Sequence, residues 1–140
     1  MGYSYNEKGP TADLTVDTWG DTLEEAFKQA AFATFDAMTP LDNVKKSVTK
    51  EFEVEGDDVG ALLFNFLDEL LYIFEVDFLV FSDYTLEISG DHKSLKAICV
   101  GEKFRVGHHE QRIAIKAVTF HMMNIEEKNG RWELRVVLDT

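Results

Sequence analysis

Cysteine is nearly absent from this sequence of 140 residues: Cys99 stands alone, so neither an internal disulfide nor a Cys-x-x-Cys metal site is available. Proline is almost as scarce, with only Pro10 and Pro40. Without a Pro-, Gly- or Ser-rich stretch there is no sign of a linker, and residues 1–140 read as a single domain. No apolar run is long enough to cross a bilayer, because Asp, Glu or Asn interrupts each one. The opening residues, Met1 to Lys8, lack the apolar core of a secretion signal. The expectation is a soluble, cytoplasmic protein. The motifs of common catalytic and nucleotide sites are missing too: there is no GxGxxG, P-loop, GxSxG or HExxH.

Basic residues are in deficit, 14 Lys and Arg against 26 Asp and Glu, for a net charge of −12. A phosphate-tracking surface over the whole molecule is thereby disfavoured. The imbalance is uneven. Residues 1–91 hold 20 acids and 5 lysines, whereas residues 92–140 hold 6 acids and 9 bases, among them all four arginines. Folding either mixes these charges or leaves an acidic face suited to a basic protein partner; strong direct nucleic-acid binding is not expected.

What is present is core. The chain is 45% hydrophobic and 12% aromatic, enough to exclude wholesale disorder. Asp13 to Trp19 reads as a strand ending at Gly20. Thr22 and Glu25 have capping-box spacing, opening a helix whose apolar face is Leu23, Ala26, Phe27, Ala30, Ala31 and Met38, stopped by Pro40. Val48–Glu55 alternates as a strand with one wet face. Gly56-Asp57-Asp58 then starts a second helix, where Val59, Leu62, Leu63, Phe66, Leu67, Leu70, Leu71 and Phe74 keep helical spacing. From Phe78 the period becomes two: Phe78, Val80, Tyr84, Leu86 and Ile88 are expected on one strand face, with Leu95–Val100 pairing against it. Phe104 and Val106 suggest a short strand, Gly107 to Glu110 a polar break, and Arg112 to Glu126 a further strand. Asn129-Gly130 signals a hairpin into Trp132–Leu138. The fold class is α+β, two helices packed on mixed, strongly twisted β-sheet.

Candidate chemistry is thin on the residues alone. Cys99, in Ala-Ile-Cys-Val, reads as a small core residue, and His108-His109 as solvated loop histidines, since adjacent strand residues point to opposite sides. Asp57-Asp58 reads as helix N-terminus chemistry. More suggestive are Asp13, at the start of its strand, and Asp139, next to the carboxylate of Thr140: oxygen donors of this kind suit a hard divalent cation. Lys116 shares parity with Ala114, Val118 and Phe120, where a lysine ordinarily snorkels to the sheet edge.

Four segments together resemble the archease family over the whole length. Thr11-Ala12-Asp13 with Thr22-Leu-Glu-Glu-Ala-Phe27 is similar to an opening His-Thr-Ala-Asp and helix start, and Phe66-Leu-Asp-Glu-Leu-Leu-Tyr-Ile-Phe74 to a central Leu-Asn-Glu-Leu-Leu-Tyr-Leu-Phe. Lys116-Ala-Val-Thr-Phe-His121 is similar to Lys-Ala-Val-Thr-Tyr-His, and Val136-Val-Leu-Asp-Thr140 to a terminal Val-Val-Phe-Asp-Ile. The resemblance implies a non-enzymatic accessory protein of tRNA splicing. Such a protein activates the GTP-dependent RNA ligase that joins 3′-phosphate or cyclic-phosphate ends to 5′-hydroxyls, promoting its guanylylation and multiple turnover. It implies alternatively a chaperone for a tRNA cytosine-5 methyltransferase. It further implies a divalent-metal site, seen as calcium, carried over to Asp13, Asp139 and Thr140, with Lys116 and, more weakly, His121 tied to activation. Three departures stand out: Pro10 fills the histidine slot, Asp68 replaces Asn, and Thr140 replaces a terminal Ile or Val.

Overall fold

The computed structural model describes residues 1–6 and 13–140; the motif positions Pro10, Thr11 and Ala12 lie outside the described residues. Seven strands and two long helices follow one another as β1 (Gly2–Asn6), β2 (Asp13–Gly20), α1 (Leu23–Met38), β3 (Val48–Glu55), α2 (Val59–Asp77), β4 (Leu79–Ile88), β5 (Ser94–Lys103), β6 (Ala117–Lys128) and β7 (Arg131–Asp139). The order β1-β2-β7-β6 makes one sheet and β3-β5-β4 a second, smaller one. All of these ladders are antiparallel.

Local chemistry sets the helix limits. Thr22 caps α1 by accepting the Glu25 N–H at 3.1 Å, while the Glu25 carboxylate accepts the N–H of Asp21 at 2.7 Å and of Thr22 at 3.4 Å. This box satisfies donors that the first turn leaves orphaned. Pro40 disfavours helical backbone at Thr39, which is extended at φ −161°. Asp58 caps α2 through the Ala61 N–H at 2.8 Å. The apolar surface of α1 goes almost all round because the helix touches β2 of one sheet and β4 of the other. Its Phe27 and the α2 residue Phe66 stack at 6.0 Å in the middle of one contiguous core.

The hairpin between β6 and β7 forms at Asn129-Gly130, both at positive φ (54° and 75°), the combination a two-residue type I′ turn requires. Elsewhere irregularities break the expected alternation. Phe78 lies outside β4 as the C-cap of α2, and a bulge at Ser82 shifts the β4 register against β5. Parity therefore changes: Phe81, not Val80, falls on the same side as Tyr84, with rings 6.2 Å apart. Gly101 makes this possible, since a Cβ there would sit 1.8 Å from the Val80 carbonyl oxygen. No strand forms at Phe104–Val106. The Phe104 N–H is taken by the Phe78 carbonyl at 2.7 Å, and Val106 is 90% exposed. The strand expected from Arg112 starts only at Ala117, and its pairing with β7 lapses between Thr119 and Asn124, a second bulge.

The charge asymmetry along the chain is mixed by the fold, because β2 pairs with β7 in the larger sheet and β5 lies between β3 and β4 in the smaller one. Arg135 binds Asp17 through two hydrogen bonds (2.7 and 3.1 Å), and Arg112 reaches Asp36 at 3.8 Å.

Gly101→Ala tests the close approach of β5 to the β4 bulge. The added methyl collides with backbone, so stability should fall by about 1–3 kcal/mol, read as a lowered urea midpoint. An unchanged midpoint would show that the two strands do not press together there.

Candidate metal centre

Inward-facing Leu14, Val16 and Thr18 on β2 lie opposite Leu138, Val136 and Leu134 on β7. All but the half-buried Leu14 are buried, and so are Thr15 and Val137 on the opposite face, so a slip of one residue would displace packed side chains on both faces and the register is strongly specified. At its end that register sets Asp13 directly opposite Asp139. Directly opposed residues share a face, with Cβ atoms roughly 4.5–5.5 Å apart. On the other side of β7, Ala117 of β6 faces Asp139 and adds only a methyl group beside the two carboxylates. The N–H of Lys116, the residue before, donates to the Asp139 carbonyl at 2.8 Å. Lys116 and Asp139 are exposed, Asp13 and Thr140 half-buried.

Three sequence-predicted positions, Asp13, Asp139 and Lys116, thus meet at one end of the larger sheet, with Thr140 adjoining. His121 does not join the row: it sits exposed in the second bulge, past the last paired residue Thr119. Nor does Lys116 occupy a strand position, since it precedes β6. Among the described residues neither carboxylate forms an ion pair. Like charges directly opposed across a ladder destabilise it. Two carboxylates with a third oxygen donor alongside fit a hard divalent cation, which takes oxygen ligands and would offset that repulsion.

A second cluster was not foreseen. Glu102, His108 and His109 bring potential ligand atoms within 4.8 Å of one another. The expectation of solvated histidines holds for exposed His108 and fails for His109, which is 3% exposed with its ring stacked on Phe104 at 5.4 Å. The hydrogen bonding decides against a metal. His109 Nδ1 accepts the Arg105 N–H at 2.9 Å, so in the neutral ring the proton is on Nε2, the nitrogen 3.4 Å from Glu102 Oε1. A metal-ligating imidazole instead donates through its second nitrogen. The other Glu102 oxygen accepts the Lys45 N–H. This cluster is a tie between β5, the chain before β3, and the loop after β5. Sequence reading missed it because a loop folding back onto the end of β5 brings His109 to Glu102, and because the Lys45 N–H that Glu102 accepts comes from 57 positions away. Cys99 is fully buried, and burial pushes its thiol up to about 12, which removes it as a nucleophile.

Comparison with known proteins adds a family. The model of the Archease protein family matches residues 3–140. A Pyrococcus abyssi protein archease is 43% identical over 132 residues, covering 92% of this chain and 93% of its own. The solution structure of a Methanobacterium thermoautotrophicum protein superposes with a TM-score of 0.87 at 37% identity, covering 99% of both chains. The crystal structure of a Thermotoga maritima archease, described as a possible chaperone, shares the fold at a TM-score of 0.64 and 19% identity.

The buried Glu102 carboxyl is held below its ordinary value of 4.5, chiefly by the Lys45 N–H and then by the nearby histidines. A carboxyl lowered on folding adds stability above its unfolded value and loses it as pH falls through the folded one. The parent should therefore exceed Glu102→Gln in urea midpoint above about pH 4.5, and the gap should close toward pH 3. A gap independent of pH would sink this assignment.

Proposed function

The chain belongs to the archease family, and from that premise we propose that it is an accessory protein of tRNA splicing. It activates the GTP-dependent 3′-phosphate/5′-hydroxyl RNA ligase, promoting its guanylylation and repeated turnover, without being an enzyme itself. The observation that carries this reading is the in-register pairing of Asp13 with Asp139. Chain ends more than a hundred residues apart are brought together there as an acidic pair with no cationic partner among the described residues.

In this reading Asp13, Asp139 and Thr140 hold a divalent cation, calcium by family resemblance, in a cytoplasmic protein. Such a cation, when bound, supplies charge neutralisation beside nucleotide phosphates. Asp13 and Asp139 act as a rigid pair, because their strands are locked by the apolar register behind them. Lys116 donates its backbone N–H to Asp139 and so keeps that strand end in place. Lys116 is exposed and joins no ion pair among the described residues, so its ammonium suits an acidic or phosphate group of the partner.

The alternative is a chaperone for a tRNA cytosine-5 methyltransferase. It is favoured by the description of the Thermotoga maritima relative as a possible chaperone. The two readings separate on the acids, since a chaperone acting by surface complementarity alone does not need them.

Asp13→Asn and Asp139→Asn preserve shape and remove charge. Each should lower calcium affinity by about tenfold or more in calorimetry, and abolish multiple turnover when the ligase is limiting. Without cation, each should raise stability by about 0.2–1 kcal/mol by relieving the repulsion. Unchanged calcium affinity and unchanged turnover in both variants would overturn the proposal. Retained protection of the methyltransferase alone would leave the alternative standing.

A further inference from the structure

The loop after β5 carries a second surface feature that the cation site does not use. Met38, Phe74, Phe104, Ile113, Ala114 and Ile115 line an apolar cavity of about 80 Å³. Phe104 is fixed in its wall three ways. Its N–H binds the Phe78 carbonyl, its face lies on the His109 ring, and the Phe74 ring stands against it at 5.9 Å and 80°. The Arg105 N–H, donating to His109 Nδ1 at 2.9 Å, holds that ring against the wall. Of the lining residues Ile113 is 43% exposed; Phe78, behind the lining residue Phe74, is 57% exposed. Phe78 sits at φ 56°, a left-handed conformation that is strained for a bulky side chain. Its ring stands edge to face with Phe74 at 6.4 Å. The left-handed turn closes α2 through the Phe78 N–H to the Phe74 carbonyl, and glycine would make it without strain; the aromatic ring is what the turn adds to the surface.

The rim supplies the sign of the partner. Lys103 and Arg105 flank Phe104, are exposed, and join no ion pair among the described residues. On a molecule of net charge −12, two unpaired cations beside an apolar cavity complement an acidic segment. They are too few to track a phosphodiester chain, and the recess is walled mainly by aliphatic groups, not by a flat stacking platform. The chain links the cavity to the cation site: Ile113, Ala114 and Ile115 lead directly into Lys116, whose N–H donates to the Asp139 carbonyl.

We propose that this cavity is where the partner protein docks. It takes one apolar side chain carried on an acidic segment of the ligase, and so sets Lys116 and the Asp13–Asp139 pair against the partner's reaction centre. The proposal rests on the ligase reading above and adds to it the docking surface and the chemistry of the segment it holds.

The test measures binding of the cognate ligase to the full-length protein by interferometry, with calcium titrations in parallel. Ile113→Asp should weaken ligase binding about tenfold. Reversing both rim charges, Lys103→Glu with Arg105→Glu, should slow association several-fold, less so at high salt. Phe78→Asn should melt no lower than the parent, because Asn tolerates the left-handed region, yet bind the ligase more weakly. All three should keep the parent's calcium affinity. Parent-like ligase binding by Ile113→Asp and Phe78→Asn, with calcium affinity intact, overturns the docking proposal and leaves the cation-site reading standing. A parent protein that neither binds nor stimulates the ligase overturns both.

Discussion

Pairing of β2 with β7 is the constraint on which the rest of the molecule depends. It joins the start of the chain to its end across the centre of the larger sheet, and both strands bury apolar residues on the inner face from Leu14 to Thr18 and Leu134 to Leu138. Because side chains alternate with a period of two, this burial tolerates one register only. Everything at the sheet's end follows. The outward residues Asp13 and Asp139 oppose each other, β6 adds Ala117 alongside, and Lys116 is drawn to the same corner by its backbone hydrogen bond. A pair of acids that costs stability is therefore carried by a ladder with stability to spare.

Regular pairing builds the scaffold, and departures from it shape the surface. The β4 bulge at Ser82 exists because Gly101 lets two backbones approach closely, and it turns Phe81 toward Tyr84 in the core. The lapse in β6 between Thr119 and Asn124 lifts Phe120 and Met122 into solvent, 58% and 44% exposed. Phe78 ends α2 in a conformation usually left to glycine. Two of these three irregularities expose large apolar side chains, and the stretch between Phe104 and Lys116 adds the cavity.

Electrostatics follow the same logic. The acidic first part of the chain meets the basic remainder where β2 pairs with β7 and where β5 lies between β3 and β4, so pairs such as Arg135 with Asp17 take up part of the late positive charge. Among the charges that join no ion pair within the described residues are the two carboxylates at one end of the larger sheet and the two cations that flank Phe104. Glu102 and His109 show how burial alters a polar pair. Out of water, each hydrogen bond dictates the tautomer of the ring, and a cluster with metal-like composition becomes a structural tie.

The amino-acid order by itself determined the α+β class, both helices with their caps, the β3 strand and the Asn129-Gly130 turn, since each depends on contacts within a few residues: Thr22 with Glu25, Asp58 with Ala61, Pro40 with Thr39. It also supplied the family resemblance, and with it Asp13, Asp139 and Lys116 as residues of interest. Tertiary structure alone decided that Asp13 and Asp139 face each other, that Phe81 replaces Val80 beside Tyr84, and that His109 is buried. The first two outcomes turn on residues from different strands meeting, β2 with β7 and Gly101 with Val80, and the third on the loop after β5 folding back so that the Arg105 N–H meets His109. Alternation along one strand is visible in a sequence, but the partner strand's register, and the bulges that reset it, are chosen only when the two faces are packed.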